Sequence, residues 1–233
     1  MKLSVMENER QSQAVTTTPG LGELKLPRLI LASSSQRRAE ILRSVGWDFE
    51  SLPVDIDETP GEREDAVEYV ERLCREKAEA ALRMSAKGFV LGADTTVVVD
   101  GDVLGKPVDG DDARGMLIRL SGRWHEVLTG VALIHAVEAP RERGHPARIG
   151  RDAEGFRCLV AHEATRVLFS ALSDDEINWY ISTGEPMGKA GAYAIQGRAA
   201  LFIDKIEGDY WNVVGLPMRL VYKLTSELLR TLD

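Results

Sequence analysis

A chain of 233 residues that is 44% hydrophobic, 28% charged and only 6% aromatic carries enough apolar material for one sizeable core or two small lobes, which excludes a fibre, a mini-protein and a disordered tail. Lysine and arginine number 29 against 37 aspartates and glutamates, and the formal net charge of −8 disfavours general attraction to nucleic acid or anionic membrane, so any polyanion must meet a local basic site. Cys74 and Cys158 are too few for a secreted disulfide framework or a four-cysteine zinc site and point to a reducing compartment, while no apolar run approaches the roughly 18 residues of a membrane span.

Residues 1–25 are broken by Glu7, Glu9, Arg10 and Glu23 and have no apolar h-region, so they read as a disordered leader and not as a secretory signal. From Leu26 to the end, short apolar runs alternate with amphipathic stretches, the pattern of one α/β domain over 26–233. Leu29 to Ala32 reads as a buried strand, Ser33-Ser34-Ser35 as a turn with an N-cap, and Gln36 to Val45 as a helix ended by Gly46. Ala66, Val70, Leu73, Cys74, Ala78, Ala81 and Leu82 repeat at helical spacing and predict a second helix from about Glu64 to Met84. Phe89 to Ala93 reads as a strand whose end is marked by Asp94, followed by Thr95 to Val99 and an Asp100-Gly101 hairpin turn.

A third helix is predicted around Ala113, Met116, Leu117 and Leu120, opened by Asp111 or Asp112 and closed by Gly122, and Val127 to Ile134 is strand-like. The Pro, Gly, Arg and Glu content of about 136–155 reads as a variable surface loop between two strands. Strand character returns at Ala164 to Phe169, and Ser173 with Glu176 forms a capping box for a helix through Ile181. Glu185 to Gly197 reads as a structured loop passing into a strand at Ala192 to Ile195, with another strand at Leu201 to Ile203. Pro217 suits a first helical turn, and Leu220, Val221, Leu224 and Leu228 give the C-terminal helix its apolar face.

Three features sit where local rules disfavour them. Arg37 and Arg38 occupy the opening turn of a helix, where the macrodipole is positive; a bound anion reverses that penalty, and the hydroxyls of Ser33 and Ser35 with free backbone N–H groups would complete a phosphate cradle. The same spacing is equally compatible with solvated arginines neutralised by Glu40 or Asp48. Lys77 falls on the apolar stripe of its helix and must snorkel or meet a negative partner. Asp94 interrupts an apolar run, at a place that suits either a ligand-binding group or a satisfied turn residue. Asp55, Asp57 and Glu58 form an acidic cluster that could hold a hard cation with Asp94 or simply be a solvated loop. His125, His135, His145 and His162 lack metal-ligand spacing, and no Gly-x-Ser-x-Gly elbow or G-x-G-x-x-G loop is present.

Leu29-Ile-Leu-Ala-Ser-Ser-Ser-Gln-Arg-Arg38, Val54-Asp-Ile-Asp-Glu58, Arg75-Glu-Lys-Ala78, Gly92-Ala-Asp-Thr95, Gly105-Lys-Pro107, Leu120-Ser-Gly122, Thr129-Gly-Val131, Glu185-Pro186, Lys189 to Gly197 and Val214-Gly-Leu-Pro217, in that order, resemble the Maf family of nucleoside triphosphate pyrophosphatases. The resemblance spans about Leu26 to Leu229, with Gln36 where the family usually has proline and Gly188 where it often has aspartate. It implies an elongated mixed-sheet α/β fold similar to the inosine-triphosphate pyrophosphatases, with a nucleotide cleft between two lobes. It implies phosphate binding by Ser33, Arg37, Lys77 and Lys106, a divalent metal cofactor, Mg²⁺ or Mn²⁺, held by Glu58 and Asp94, and Asp94 as proton acceptor. Arg37, Thr95 and Gln196 stand at the substrate-specificity positions in the combination that looks like the subgroup acting on dTTP and UTP, and modified pyrimidine triphosphates are a further expected substrate class.

The expected products are the nucleoside monophosphate and pyrophosphate, and the expected setting is the cytoplasm, with no nucleic-acid or membrane partner. A homodimer is a family-based expectation that no sequence feature supports. The alternatives are a 7-methyl-GTP-type pyrophosphatase and a division-linked regulatory interaction protein. Retention of Arg37, Lys77, Asp94 and Lys106 together favours an enzyme, because a pure binding module has no need of the base.

Overall fold

The computed structural model describes residues 26–85, 88–136 and 156–232. The proposed leader at 1–25 and nearly all of the proposed surface loop, 137–155, lie outside the described residues. The chain runs β1 (Leu29–Leu31), α1 (Gln36–Ser44), β2 (Phe49–Ser51), α2 (Ala66–Ser85), β3 (Gly88–Val99), β4 (Asp102–Leu104), α3 (Gly110–Leu120), β5 (Trp124–Ala136), β6 (Phe156–Phe169), α4 (Asp174–Ser182), β7 (Ile203–Glu207), α5 (Tyr210–Val214) and α6 (Met218–Arg230). Two 3-10 turns, Ala190–Ala192 and Arg198–Phe202, lie between α4 and β7.

The strands form one seven-stranded mixed sheet in the order β2-β1-β3-β5-β6-β7, with β4 paired to β3. Strand β1 pairs in parallel with β2 and β3, and all other pairings are antiparallel. Alternation along β3 decides which helix meets which face. Leu91 and Ala93 join Val131 and Leu133 beneath α1 and α6, whose Leu42, Val221, Leu224 and Leu228 are buried there. Val90, Ala132 and Ile134 face the other way and pack on Cys74, Ala78 and Ala81 of α2. Farther along the same strands, Val97, Val99 and Val127 build a separate cluster with Leu117 of α3 and Tyr180 of α4.

Two glycines let α2 lie unusually close to the sheet. A Cβ at Gly92 would run into the carbonyl oxygen of Cys74, and one at Gly130 into that of Val70. Gly130 is also the cross-strand partner of Asp94. The backbone of α2 therefore lies against the sheet beside Asp94, which brings Lys77 of that helix within reach of it.

Several sequence expectations need correction. Asp94 does not end a strand; β3 runs unbroken from Gly88 to Val99 because the carboxylate has an ion-pair partner and the flanking residues are paired to β5 across their whole length. Helix α3 is capped by Asp109, whose side chain accepts from the Asp112 N–H, and not by Asp111 or Asp112. No strand forms at Ala192 to Ile195, because Gly191 and Ala192 both take positive φ (64° and 60°) in a 3-10 turn, a conformation incompatible with extended pairing. The strand expected at Leu201 to Ile203 instead starts at Ile203, since Arg198–Phe202 is a 3-10 turn whose first N–H groups, on Arg198 and Ala199, are held by Glu185. The capping box of Ser173 and Glu176 is formed.

Candidate active site

Between the cluster under α1 and α6 and the cluster under α3 and α4 lies a cleft of about 510 Å³. Every site residue that the family resemblance implies lines it: Ser33, Arg37, Glu58, Lys77, Asp94, Thr95, Lys106 and Gln196. Their origins are scattered over six segments of the chain, and only the fold brings them together.

At its centre are two carboxylates and two lysines. Lys77, only 8% exposed, does not snorkel: its Nζ donates to Asp94 Oδ1 at 2.6 Å and lies 2.6 Å from Glu58 Oε1. Lys106 Nζ donates to the other Glu58 oxygen, Oε2, at 3.1 Å. Burial pushes the Glu58 carboxyl up, but its bonds to Lys77 and Lys106 outweigh that effect and hold it below the usual carboxylate range. Asp94 is 9% exposed, and among the described residues its Oδ2 accepts no hydrogen bond. Asp57 and Asp55 do not join this group; Asp57 accepts from the Thr59 N–H and both are exposed.

The turn between β1 and α1 forms the second wall. Ser35 caps α1 by accepting from the Arg38 N–H, and Ser33 Oγ accepts from the Ser35 N–H. The two arginines, adjacent in sequence, do different things. Arg38 turns inward: its Nε donates to the Gly215 carbonyl at 2.8 Å, Nη1 to Ser33 Oγ at 3.1 Å and Nη2 to Thr95 Oγ1 at 3.0 Å. That fork clamps the β1–α1 turn, β3 and the α5–α6 turn together. Burial lowers its pKa, yet a guanidinium stays charged, and Asp94 and Glu58 favour that charge.

Arg37 remains in the cleft and makes no ion pair with Glu40 or Asp48 among the described residues; Asp48 pairs with Arg28. Its pKa, too, is lowered first by burial. Lys189, a cleft residue that sequence reasoning did not single out, has a pKa lowered by burial and by the neighbouring charge of Arg37. The signal was a lysine inside a glycine-rich loop, the segment Lys189 to Gly197.

Thr95 belongs to a buried polar chain that sequence reasoning also missed. Its Oγ1 lies 2.9 Å from Thr129 Oγ1, Thr129 donates to the Asn212 carbonyl at 3.1 Å, and Asn212 Nδ2 donates to Val127 O and Thr165 Oγ1, both at 2.9 Å. Glu185 is structural: it accepts from Tyr180 Oη at 3.0 Å and from the Arg198 N–H at 2.9 Å, and a Cβ at Gly197 would strike its carboxylate. Gln196 is exposed in the loop so held, beside Tyr193, which is fixed from behind by a 2.8 Å hydrogen bond to His125 Nε2.

Chemically, the cleft pairs a cationic region with an apolar one made by Val97, Val127, Ile195, Val213 and Val214, the arrangement expected for a polyphosphate ester with a flat, partly apolar body. Glu58 and Asp94, drawn onto one ammonium, form a hard oxygen pair that suits Mg²⁺ or Mn²⁺ completed by phosphate oxygens and water. Among the described residues no group of three or more His, Cys, Asp or Glu side chains could hold a metal ion. No helix among the described residues is long and apolar enough to cross a membrane.

A dTTP/UTP pyrophosphatase of Symbiobacterium thermophilum is 51% identical over 202 residues, 86% of this chain and 94% of that protein. One from Hahella chejuensis is 49% identical over 196 residues, covering 82% and 87% respectively, and one from Chromobacterium violaceum is 46% identical over 205 residues, covering 86% and 94%. The Staphylococcus aureus Ham1 protein structure aligns with a TM-score of 0.44 and 13% identity over 88% of this chain and 100% of that one. The family model for Maf-like proteins matches residues 28–228, from the first strand of the sheet to the last turns of α6, and the chain belongs to that family.

Proposed function

We propose that this protein is a metal-dependent nucleoside triphosphate pyrophosphatase that hydrolyses dTTP and UTP to the monophosphate and pyrophosphate, in a single catalytic domain over 26–233. The observation that carries the reading is the convergence of Asp94, Glu58, Lys77 and Lys106 on one cleft beside Arg37 and the Ser33–Arg38 turn. The names of the relatives support the substrate assignment.

In this reading the triphosphate lies along the cationic wall, where Arg37, Lys77 and Lys106 stabilise the charge that develops on its oxygens, and Ser33 keeps the turn in shape. Asp94 accepts the proton of the attacking water through Oδ2, the oxygen that is not bonded to Lys77. The water oxygen bonds to the α-phosphorus, the α–β bridging bond breaks, and its electron pair leaves with pyrophosphate. A divalent cation, which Glu58 and Asp94 would hold, supplies charge neutralisation at the phosphoryl oxygens. Arg38 and Thr95 act behind this layer, as the clamp that fixes the floor of the cleft.

Gln196 is the base reader: an amide side chain donates to the O4 and accepts from the N3–H that uracil and thymine share. Cytosine reverses both groups, and each unpaired polar group costs about 1–3 kcal/mol. Pyrophosphate release from dTTP, UTP, CTP and 7-methyl-GTP tests the assignment. We expect dTTP and UTP within a modest factor of each other and CTP at least roughly tenfold slower. Preference for 7-methyl-GTP would place the chain in the sister subgroup.

A further inference from the structure

The inference concerns Lys77 and rests on the functional reading above. Its ammonium occupies the position between Glu58 and Asp94, 2.6 Å from an oxygen of each. A hard divalent cation needs those same two carboxylates. Their charge is already spent, because Lys106 holds the second oxygen of Glu58. The wider cleft adds Arg37, Arg38 and Lys189 and no further carboxylate, so its lining has more cationic than anionic side chains. Free metal thus meets an occupied carboxylate pair and a repulsive field.

We propose that Lys77 is the resident counter-cation of the carboxylate pair: it keeps Glu58 and Asp94 together in the free protein and bars a divalent cation from entering alone, so that the metal arrives with the nucleotide. The triphosphate removes the barrier, since its oxygens offer Lys77 and Lys106 new anionic partners and reverse the sign of the field. The burial of Lys77 against α2 and the sheet is what makes the barrier effective, because an exposed lysine at this distance would be displaced into water at little cost.

Mn²⁺ binding to the intact, nucleotide-free protein, read from the loss of the free-ion electron paramagnetic resonance signal, tests this directly. Wild type is expected to bind Mn²⁺ weakly at this pair, Lys77→Met at least about tenfold more tightly, and Lys77→Arg, which keeps the charge, as weakly as wild type. Asp94→Asn added to Lys77→Met should return binding to the wild-type level, which locates the gain at the pair. Should Lys77→Met lack a cooperative thermal transition, Lys77→Gln removes the charge while leaving a donor for one carboxylate.

Wild type that binds Mn²⁺ without nucleotide as tightly as the neutral variants overturns the proposal. So does a neutral variant whose gain survives Asp94→Asn. Pyrophosphate release from dTTP by the wild type is measured alongside. Turnover with tight nucleotide-free Mn²⁺ binding rejects only the role of Lys77, whereas absence of turnover on any pyrimidine triphosphate rejects the functional reading itself.

Discussion

Asp94 has one oxygen on Lys77 and one that faces the cleft, and this division is what lets a buried carboxylate be both anchored and available. Asp94→Asn preserves shape and cannot take a proton, so turnover is expected to fall by about 10² to 10⁴ while binding of an unreactive α,β-imido analogue persists. Wild-type-like pyrophosphate release from that variant would remove Asp94 from the mechanism. At the other end of the cleft, Gln196→Glu loses the amide donor. It should weaken dTTP and UTP hydrolysis by about tenfold or more, read as kcat/KM, consistent with the loss of one hydrogen bond to the bound base. Unchanged kcat/KM for both nucleotides would show that Gln196 braces its loop and does not read the base. The two adjacent arginines show how little neighbouring residues need share: Arg37 faces the ligand space, and Arg38 is consumed by Ser33, Thr95 and Gly215.

Helix α2 and its two glycine contacts form the element on which the site depends. Gly130 pairs with Asp94 across the sheet, and its missing side chain admits the backbone of α2. Gly130→Ala is expected to destabilise the fold by at least about 1–3 kcal/mol through overpacking against backbone, and to lower activity as the helix lifts Lys77 from Asp94. Denaturant melts and pyrophosphate release measure the two effects. Gly115→Ala makes the control: that glycine lies on the exposed face of α3 with nothing near its Cβ position, and the substitution should stabilise by about 0.5–1 kcal/mol. Equal effects of the two substitutions would contradict the close-packing account.

The helices and the long apolar strands were legible in the sequence because their signals are periodic and local. Leu220, Val221, Leu224 and Leu228 are buried as their spacing demands, and Ser35 and Ser173 cap as expected. Less legible was whatever depended on distant partners. Asp94 looked like a strand end because its answering charge, Lys77, is 17 residues away on a helix. Ala192 looked extended because nothing local announces its positive φ. The polar chain through Thr129 and Asn212 joins residues 83 apart and leaves no pattern in either segment. All eight expected site residues nonetheless line one cleft.

At the scale of the whole molecule, stability should depend on pH through His125. Burial lowers its pKa from the ordinary 6.5 to about 4 while Tyr193 shares its Nε2. The unfolded chain therefore takes up the proton first: the stabilisation is complete above about pH 6.5 and is lost as pH falls toward 4, by on the order of 3 kcal/mol. His125→Gln should flatten that window in denaturant melts, and an unchanged slope would contradict the assignment.

The central claim is that the cleft cuts between the α and β phosphates, and product identity tests it most directly. Wild-type protein incubated with dTTP and Mg²⁺ and followed by ³¹P NMR is predicted to give dTMP and pyrophosphate in equimolar amounts, with resonances that integrate as 1:2. Appearance of dTDP with orthophosphate would contradict it, because the attack would then fall on the γ-phosphorus and the placement of Asp94 relative to the triphosphate would be wrong.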